Sequence, residues 1–317
     1  MKTLSSQAGL ASLALADFCR LFDAEPGEFS ERCRKEISSR DFRFRILDGP
    51  ERDQAILSAV KAVDTGMLSK SGPEKKAHWE KGWSENLESF IEKGDVSSLI
   101  PKYVKRNRPM RIEGCYVQPV DPQFEDSFLA VLHLYIFERY LGLATEIFEF
   151  GSGTGLNLVE MNKLFPDKTL HGLDWAESSK EILDRLAPKY GGRIYGHLFD
   201  MFSPDFDVRF GPSSALFTAG ALEQLGTRFD VFLDFIIQRR PQLCVHLEPI
   251  YELYDEDLLF DYLAARFSVA RNWLRGFLPR LRELESQGVV EIVKVKRTIG
   301  SFFHDGYSIV IWRPIHG

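Results

Sequence analysis

Three glycines stand at alternate positions in FEFGSGTGLNLVEMNKLFPDKTLHGLDW, at Gly151, Gly153 and Gly155, between an apolar run and an amphipathic one. A second apolar run ends 23 residues after Gly151, at Asp174. Glycine carries no Cβ, so this spacing lets something come close to the main chain. An acid about 20 residues beyond such a loop is placed to take a ribose diol. Farther on, CVHLEPIYELYDED puts His246 and Glu248 on one face of a strand. An imidazole titrating near neutrality, with a carboxylate to orient it or to touch the acceptor, suits removal of a proton from a hydroxyl. His304 and Asp305 offer a second His–acid pair in a Gly-containing turn, and Glu223 and Gln224 start a helix within FTAGALEQLG.

These residues need elements to hold them. After about residue 140, short apolar runs alternate with helical stretches, the pattern of βαβ units and a parallel sheet. Strands are expected at Glu146–Phe150, Thr169–Leu173, Arg193–His197, Ala215–Thr218, Gln242–Leu247, Val289–Arg297 and Tyr307–Trp312. Helices are expected at Leu156–Leu164, Ser178–Leu186, Leu222–Gly226 and Phe229–Arg239, with two more inside Asp257–Gln287. RTIGSFFHDGYS joins the last two strands as a hairpin, so the seventh should run antiparallel to its neighbour. The fold class is therefore α/β: a doubly wound, seven-stranded, mostly parallel sheet with an antiparallel C-terminal strand. Residues 1–140 read as a helical N-terminal extension, with helices over 5–24, 51–65, 76–93 and 127–141, and residues 141–317 as the sheet domain.

In a doubly wound sheet, ligands bind at the carboxyl ends of the strands where strand order reverses. The loop after the first strand is not a dinucleotide fingerprint, whose third glycine would fall at Leu156, and no lysine follows to make a Walker loop. Gly-x-Gly-x-Gly after Glu149-Phe150, with an acid closing the second strand, resembles the pattern of class I S-adenosylmethionine (SAM)-dependent methyltransferases, over about residues 146–312. The chain is also similar to uncharacterised bacterial small-molecule and glycan-associated members. The resemblance implies that Glu149 helps to hold the amino end of SAM, and that the backbone around Gly151, Ser152, Gly153 and Gly155 approaches it. It further implies that Asp174 takes the ribose, that Trp175 lies against the adenine, that Asp200 reaches the adenine amino group with Met201 or Phe202 lining the ring, and that Thr218 passes under the sulfonium. Acceptor-side residues are expected after the fourth and fifth strands, making His246, Glu248, Glu223 and His304 the catalytic candidates.

Of 317 residues, 44% are hydrophobic and 27% charged, and the formal net charge is −6. That balance argues against a broad nucleic-acid footprint. A local basic stretch with Lys102, Lys105, Arg106, Arg108 and Arg111, near Trp79, Trp83 and Phe90, could hold a phosphate or carboxylate of the acceptor. A small acceptor, first among them the hydroxyl of a nucleotide-linked sugar, is expected. RNA methylation and a catalytically silent SAM-fold scaffold are the alternatives. No metal is required by the spacing, although Glu223, Glu248 and Asp255 could collect a divalent ion. The four scattered cysteines read as reduced thiols of a cytoplasmic protein. No apolar run nears the ~18–20 residues of a membrane span, and the helical spacing of Leu10, Leu13, Phe18, Leu21 and Phe22 outweighs an A-x-A signal-peptide reading. The N-terminal helices could also serve a homodimer.

Overall fold

The computed structural model describes residues 9–102 and 106–315. The N-terminal part carries helices α1 (Leu15–Phe22), α2 (Glu31–Ser39), α3 (Gly49–Asp64), α4 (Lys76–Lys93) and α5 (Phe124–Ile136). Among them runs an antiparallel sheet of β1 (Ala11–Ser12), β2 (Arg43–Ile46), β3 (Met110–Ile112) and β4 (Cys115–Pro119), ordered β1-β2-β4-β3. This sheet corrects the purely helical reading of the extension. Its strands are two to five residues long, too short for alternation to show above the surrounding sequence. Residues 5–8 of the expected first helix lie outside the described residues.

The remainder builds the expected sheet from β5 (Glu146–Phe150), β6 (Thr169–Asp174), β7 (Ile194–Leu198), β8 (Ser214–Ala219), β9 (Leu243–Glu248), β10 (Val290–Lys296) and β11 (Ser308–Pro314). Helices α6 (Leu156–Leu164), α7 (Glu177–Leu186), α8 (Asp230–Arg239), α9 (Leu259–Arg271) and α10 (Phe277–Ser286) connect them. The sheet order is β10-β11-β9-β8-β5-β6-β7, with β11 antiparallel to both neighbours. The expected helix at Leu222–Gly226 is a single 3₁₀ turn, Leu222–Leu225.

Central strands such as EIFEF and SALFTA are buried along nearly their whole length because helices cover both faces. On one face Ile147, Phe217, Val245 and Ile309 join a core that also contains α6, α7 and the N-terminal aromatics Phe18, Phe22 and Phe128. On the other, Phe148, Leu216, Cys244 and Trp312 pack with α8 and α10. The first core is continuous across residue 140, so the N-terminal segment closes one face of the sheet. No helix among the described residues is long and apolar enough to cross a membrane.

β5 pairs with β6 on one side and β8 on the other. The chain crosses from one half of the sheet to the other there, which opens a crevice at the carboxyl ends of β5 and β8.

Candidate functional site

Gly151, Gly153 and Gly155 all have positive φ, at 71°, 52° and 74°. The first approach they permit is by the protein itself. A side chain on Gly151 would collide with Ala221 in the turn after β8, on Gly155 with Leu183 of α7, and on Gly153 with the Trp83 ring at 2.9 Å. The loop thus holds three neighbours in van der Waals contact, one from each side of the crevice and one from above. Gly151 also faces Met201, whose Cε lies 4.0 Å from where its Cβ would stand.

Asp174 is buried at the end of β6 and accepts hydrogen bonds from the backbone N–H of Gly153 at 2.9 Å and of Ala176 at 3.0 Å. It ties the glycine loop to the next helix start while keeping lone pairs for a further donor. Burial pushes its carboxyl up to about 6, against the pull of those backbone donors. Glu149 is buried as well; its Oε1 accepts from Asn157 Nδ2 at 2.7 Å, and its Oε2 has no hydrogen-bond partner. Burial pushes Glu149 up to about 8. Ser152 turns its unpartnered hydroxyl towards Gly172 in the sheet. Trp175 stacks on Phe202 with centroids 5.8 Å apart, and Asp200 accepts from Phe202 N–H at 2.9 Å, closing its own turn. The structure therefore gathers Glu149, Gly151, Gly153, Asp174 and Met201 around one crevice, with the Trp175–Phe202 stack and Asp200 in the segments that follow β6 and β7.

Helix α4 covers this crevice. Trp79 and Trp83, one turn apart, stack at 5.4 Å, and Trp79 Nε1–H donates to Gln224 Oε1 at 3.3 Å. Between them in sequence, Glu80 accepts from the N–H groups of Glu177 and Ser178 at the N-terminus of α7, where a carboxylate is favoured. Glu80 had no signal in the sequence, since its partners lie 97 and 98 residues away.

The acceptor side needs several corrections. His246 is fully buried; Trp312 Nε1–H donates to its Nε2 at 2.9 Å, and its Nδ1 lies 2.9 Å from Thr218 Oγ1. Indole nitrogen only donates, so Nε2 accepts and the ring proton sits on Nδ1, directed at Thr218. Burial lowers His246 to about 3. Both nitrogens are engaged within the sheet, and His246 links β8, β9 and β11 instead of acting as a base. Thr218 is committed to the same hydrogen-bond chain. Glu248 accepts from the N–H groups of Ala221 and Leu222, both at 3.0 Å, and of Glu223 at 3.3 Å. It caps the turn after β8 and reaches His246 only through the Thr218 hydroxyl. Of the four catalytic candidates, Glu223 is the one left beside the crevice: it is half-buried, accepts from Gln224 Nε2 at 3.0 Å, and is pushed up to about 8 by burial and by Glu248.

His304 does not pair with Asp305. Its ring lies along Phe267 and against Trp273, while Asp305 binds Arg111 at 3.1 Å and Arg297 at 2.5 Å. The expected basic cluster is divided. Arg111 is wholly buried, Lys102 Nζ donates to Glu85 O, and Lys105 lies outside the described residues, while Arg106, paired with Asp126, and the exposed Arg108 line one surface recess. Phe90 sits in the core, away from the crevice. No group of three or more His, Cys, Asp or Glu among the described residues is arranged to hold a metal.

No family model matches the chain, and neither does any curated protein. Solved structures do resemble it. PigF with S-adenosylhomocysteine (SAH) is 14% identical at a TM-score of 0.46, over 83% of this chain and 70% of PigF. The N,N-8-amino-8-demethyl-D-riboflavin dimethyltransferase RosA from Streptomyces davawensis is 15% identical at 0.40, over 97% and 90%. The O-methyltransferase NcsB1 from neocarzinostatin biosynthesis, with SAH and 1,4-dihydroxy-2-naphthoic acid, is 15% identical at 0.40, over 95% and 89%. Likeness at that level transfers no ligand and no residue role. The sheet itself, doubly wound with a reversed last strand, is the fold class expected from the sequence.

Proposed function

We propose that the chain binds SAM in the crevice between β5 and β8 and directs methyl transfer to a small acceptor. The observation that carries this reading is Glu149. A buried carboxyl with one oxygen unpartnered, beside a glycine-rich loop, is a costly feature unless a cation meets it. Glu149 would hold the ammonium end of the nucleoside, Asp174 the ribose, and Trp175, Asp200, Met201 and Phe202 the adenine. When bound, SAM supplies an electrophilic methyl group on a sulfonium. The protein's share is to align an acceptor, to exclude water beneath α4, and to take the acceptor's proton.

Glu223 is proposed to take that proton, since a carboxyl titrating near 8 at the carboxyl end of β8 is poised for base work. Glu223→Gln should leave SAH affinity unchanged and remove the rise of the transfer rate between about pH 7 and 9; an unaltered profile would discard Glu223 as the base.

The binding step itself is tested by titrating the protein with SAH at pH 7.5. Glu149 starts largely protonated and should ionise on meeting the ligand's ammonium, so binding should release up to about three-quarters of a proton. Calorimetry in buffers of different ionisation enthalpy reads that proton. Absence of any heat or thermal shift with SAH would end the methyltransferase reading.

A further inference from the structure

A second polar cluster lies on the acceptor side of the fold, outside the nucleoside crevice. Arg111 on β3, Arg297 after β10, Asp261 on α9 and Asp305 before β11 form a network with contacts of 2.5–3.7 Å. Its two guanidinium groups and two carboxylates balance, yet its donors are not used up. Arg111 is 0% exposed and its Nη1 has no partner. Tyr116 Oη, at 3% residue exposure, Trp273 Nε1, at 5%, Arg271 Nε and His304 Nδ1 are also buried without partners. All but the histidine nitrogen carry hydrogen to donate whatever the tautomer.

These atoms belong to one neighbourhood that reaches the crevice. Tyr116 and the Arg111 guanidinium both pack on Phe260, with centroid distances of 5.0 and 3.5 Å. Trp273 packs on His304 at 4.4 Å, and Arg271 lies over Trp273 at 5.2 Å. His304 feels the charges of both Arg111 and Arg271, and Arg271 in turn feels that of Glu223. A line of unpaired donors therefore runs from the Glu223 turn to Arg111, between flat aromatic walls. Donors left unpaired in the interior are costly, and a ligand rich in acceptor oxygens would relieve them.

We infer that this cluster seats the acceptor, and that the acceptor is a planar aromatic ring bearing a carboxylate. The inference rests on the methyltransferase reading for the cluster's place beside the methyl donor. The carboxylate meets Arg111 and Tyr116 at one end of the line, Arg271 lies at the Glu223 end, and the ring lies along the aromatic walls. A nucleotide-linked sugar loses part of its support, because Arg111 and Lys102, two of the cations expected to hold its phosphates, are committed within the protein.

The test uses the full chain with SAH bound, and salicylate as probe against phenol and salicylamide. Salicylate should bind at least roughly tenfold more tightly than either uncharged analogue. Tyr116→Phe removes a hydroxyl that faces the Arg111 guanidinium without a well-formed hydrogen bond in the protein, so it should cost little stability while binding salicylate roughly tenfold more weakly. Arg271→Gln, at a half-buried position, should weaken salicylate by a similar factor or more and leave SAH affinity alone. Equal binding of salicylate and phenol overturns the inference, and so does a Tyr116→Phe protein that melts lower and binds salicylate normally, because its donors then hold ordered water only. If SAH binds and no probe does, this inference falls and the methyltransferase reading stands; if SAH also fails to bind, that reading falls first.

Discussion

Asp174→Ala is expected to cost the folded protein about 2–6 kcal/mol and to weaken SAH binding at least roughly tenfold. The stability loss follows from the two backbone donors, at Gly153 and Ala176, that this carboxylate satisfies in the interior. Each buried N–H left without an acceptor costs ~1–3 kcal/mol, and water does not readily reach a site this closed. The binding loss has two sources. The carboxylate proposed to meet the ribose disappears, and the glycine loop loses the clamp that fixes its shape. Asp174→Asn separates them, because the amide oxygen can still accept one backbone bond while the charge is gone. Urea unfolding and SAH titration on both variants read the two effects. Alanine binding SAH as tightly as the parent would leave Asp174 as a clamp with no ligand role.

In the absence of ligand, the melting temperature should fall as pH rises from 6.5 to 8.5, and Glu149→Gln should melt above the parent at pH 8.5. The sign follows from which groups gain or lose protons on folding. Glu149 and Glu223 are both raised from 4.5 to about 8 and Glu248 to about 7, with burial the largest cause in each. A carboxyl raised in the folded state binds its proton more tightly there than in the unfolded chain. Its contribution is complete below its unfolded pKa and is lost as pH climbs through its folded one. The buried histidines work in the opposite sense: His133 is lowered to about 4, and His246 and His304 to about 3. Their contribution grows with pH only up to about 6.5 and is flat beyond it. Above 6.5 the histidine contribution is flat and the carboxyls set the slope up to about 8, so stability declines. Glutamine resembles the protonated acid and should match the parent at pH 5 while escaping the penalty at 8.5. SAH should flatten the decline in the parent, since a cation beside Glu149 favours its ionised form. A melting temperature that holds steady or rises across this window would contradict the buried, unpaired state of Glu149.

Much of the fold was legible along the chain. Strand and helix positions from Glu146 to Trp312 agree with the structure to within a few residues at their ends, because apolar periodicity is a local property. The reversed last strand followed from a hairpin connection too short to hold a crossover helix. The small N-terminal sheet stayed hidden, since pairs such as Phe44 with Pro119 join residues far apart in sequence.

By itself, the sequence determined the glycine loop, the acid closing the next strand and the order in which they are strung, all of them matters of residue type and local spacing. Tertiary structure decided what each side chain is used for. His246 and Glu248 share a strand face as alternation requires, but the indole of Trp312 on β11 and the turn after β8 claim their hydrogen bonds. Arg111 read as part of a basic surface stretch, yet β3 carries it inside, where Asp305, 194 residues away, meets it. Burial and pairing depend on which distant segments come to lie on either side of a residue, and local spacing does not encode that.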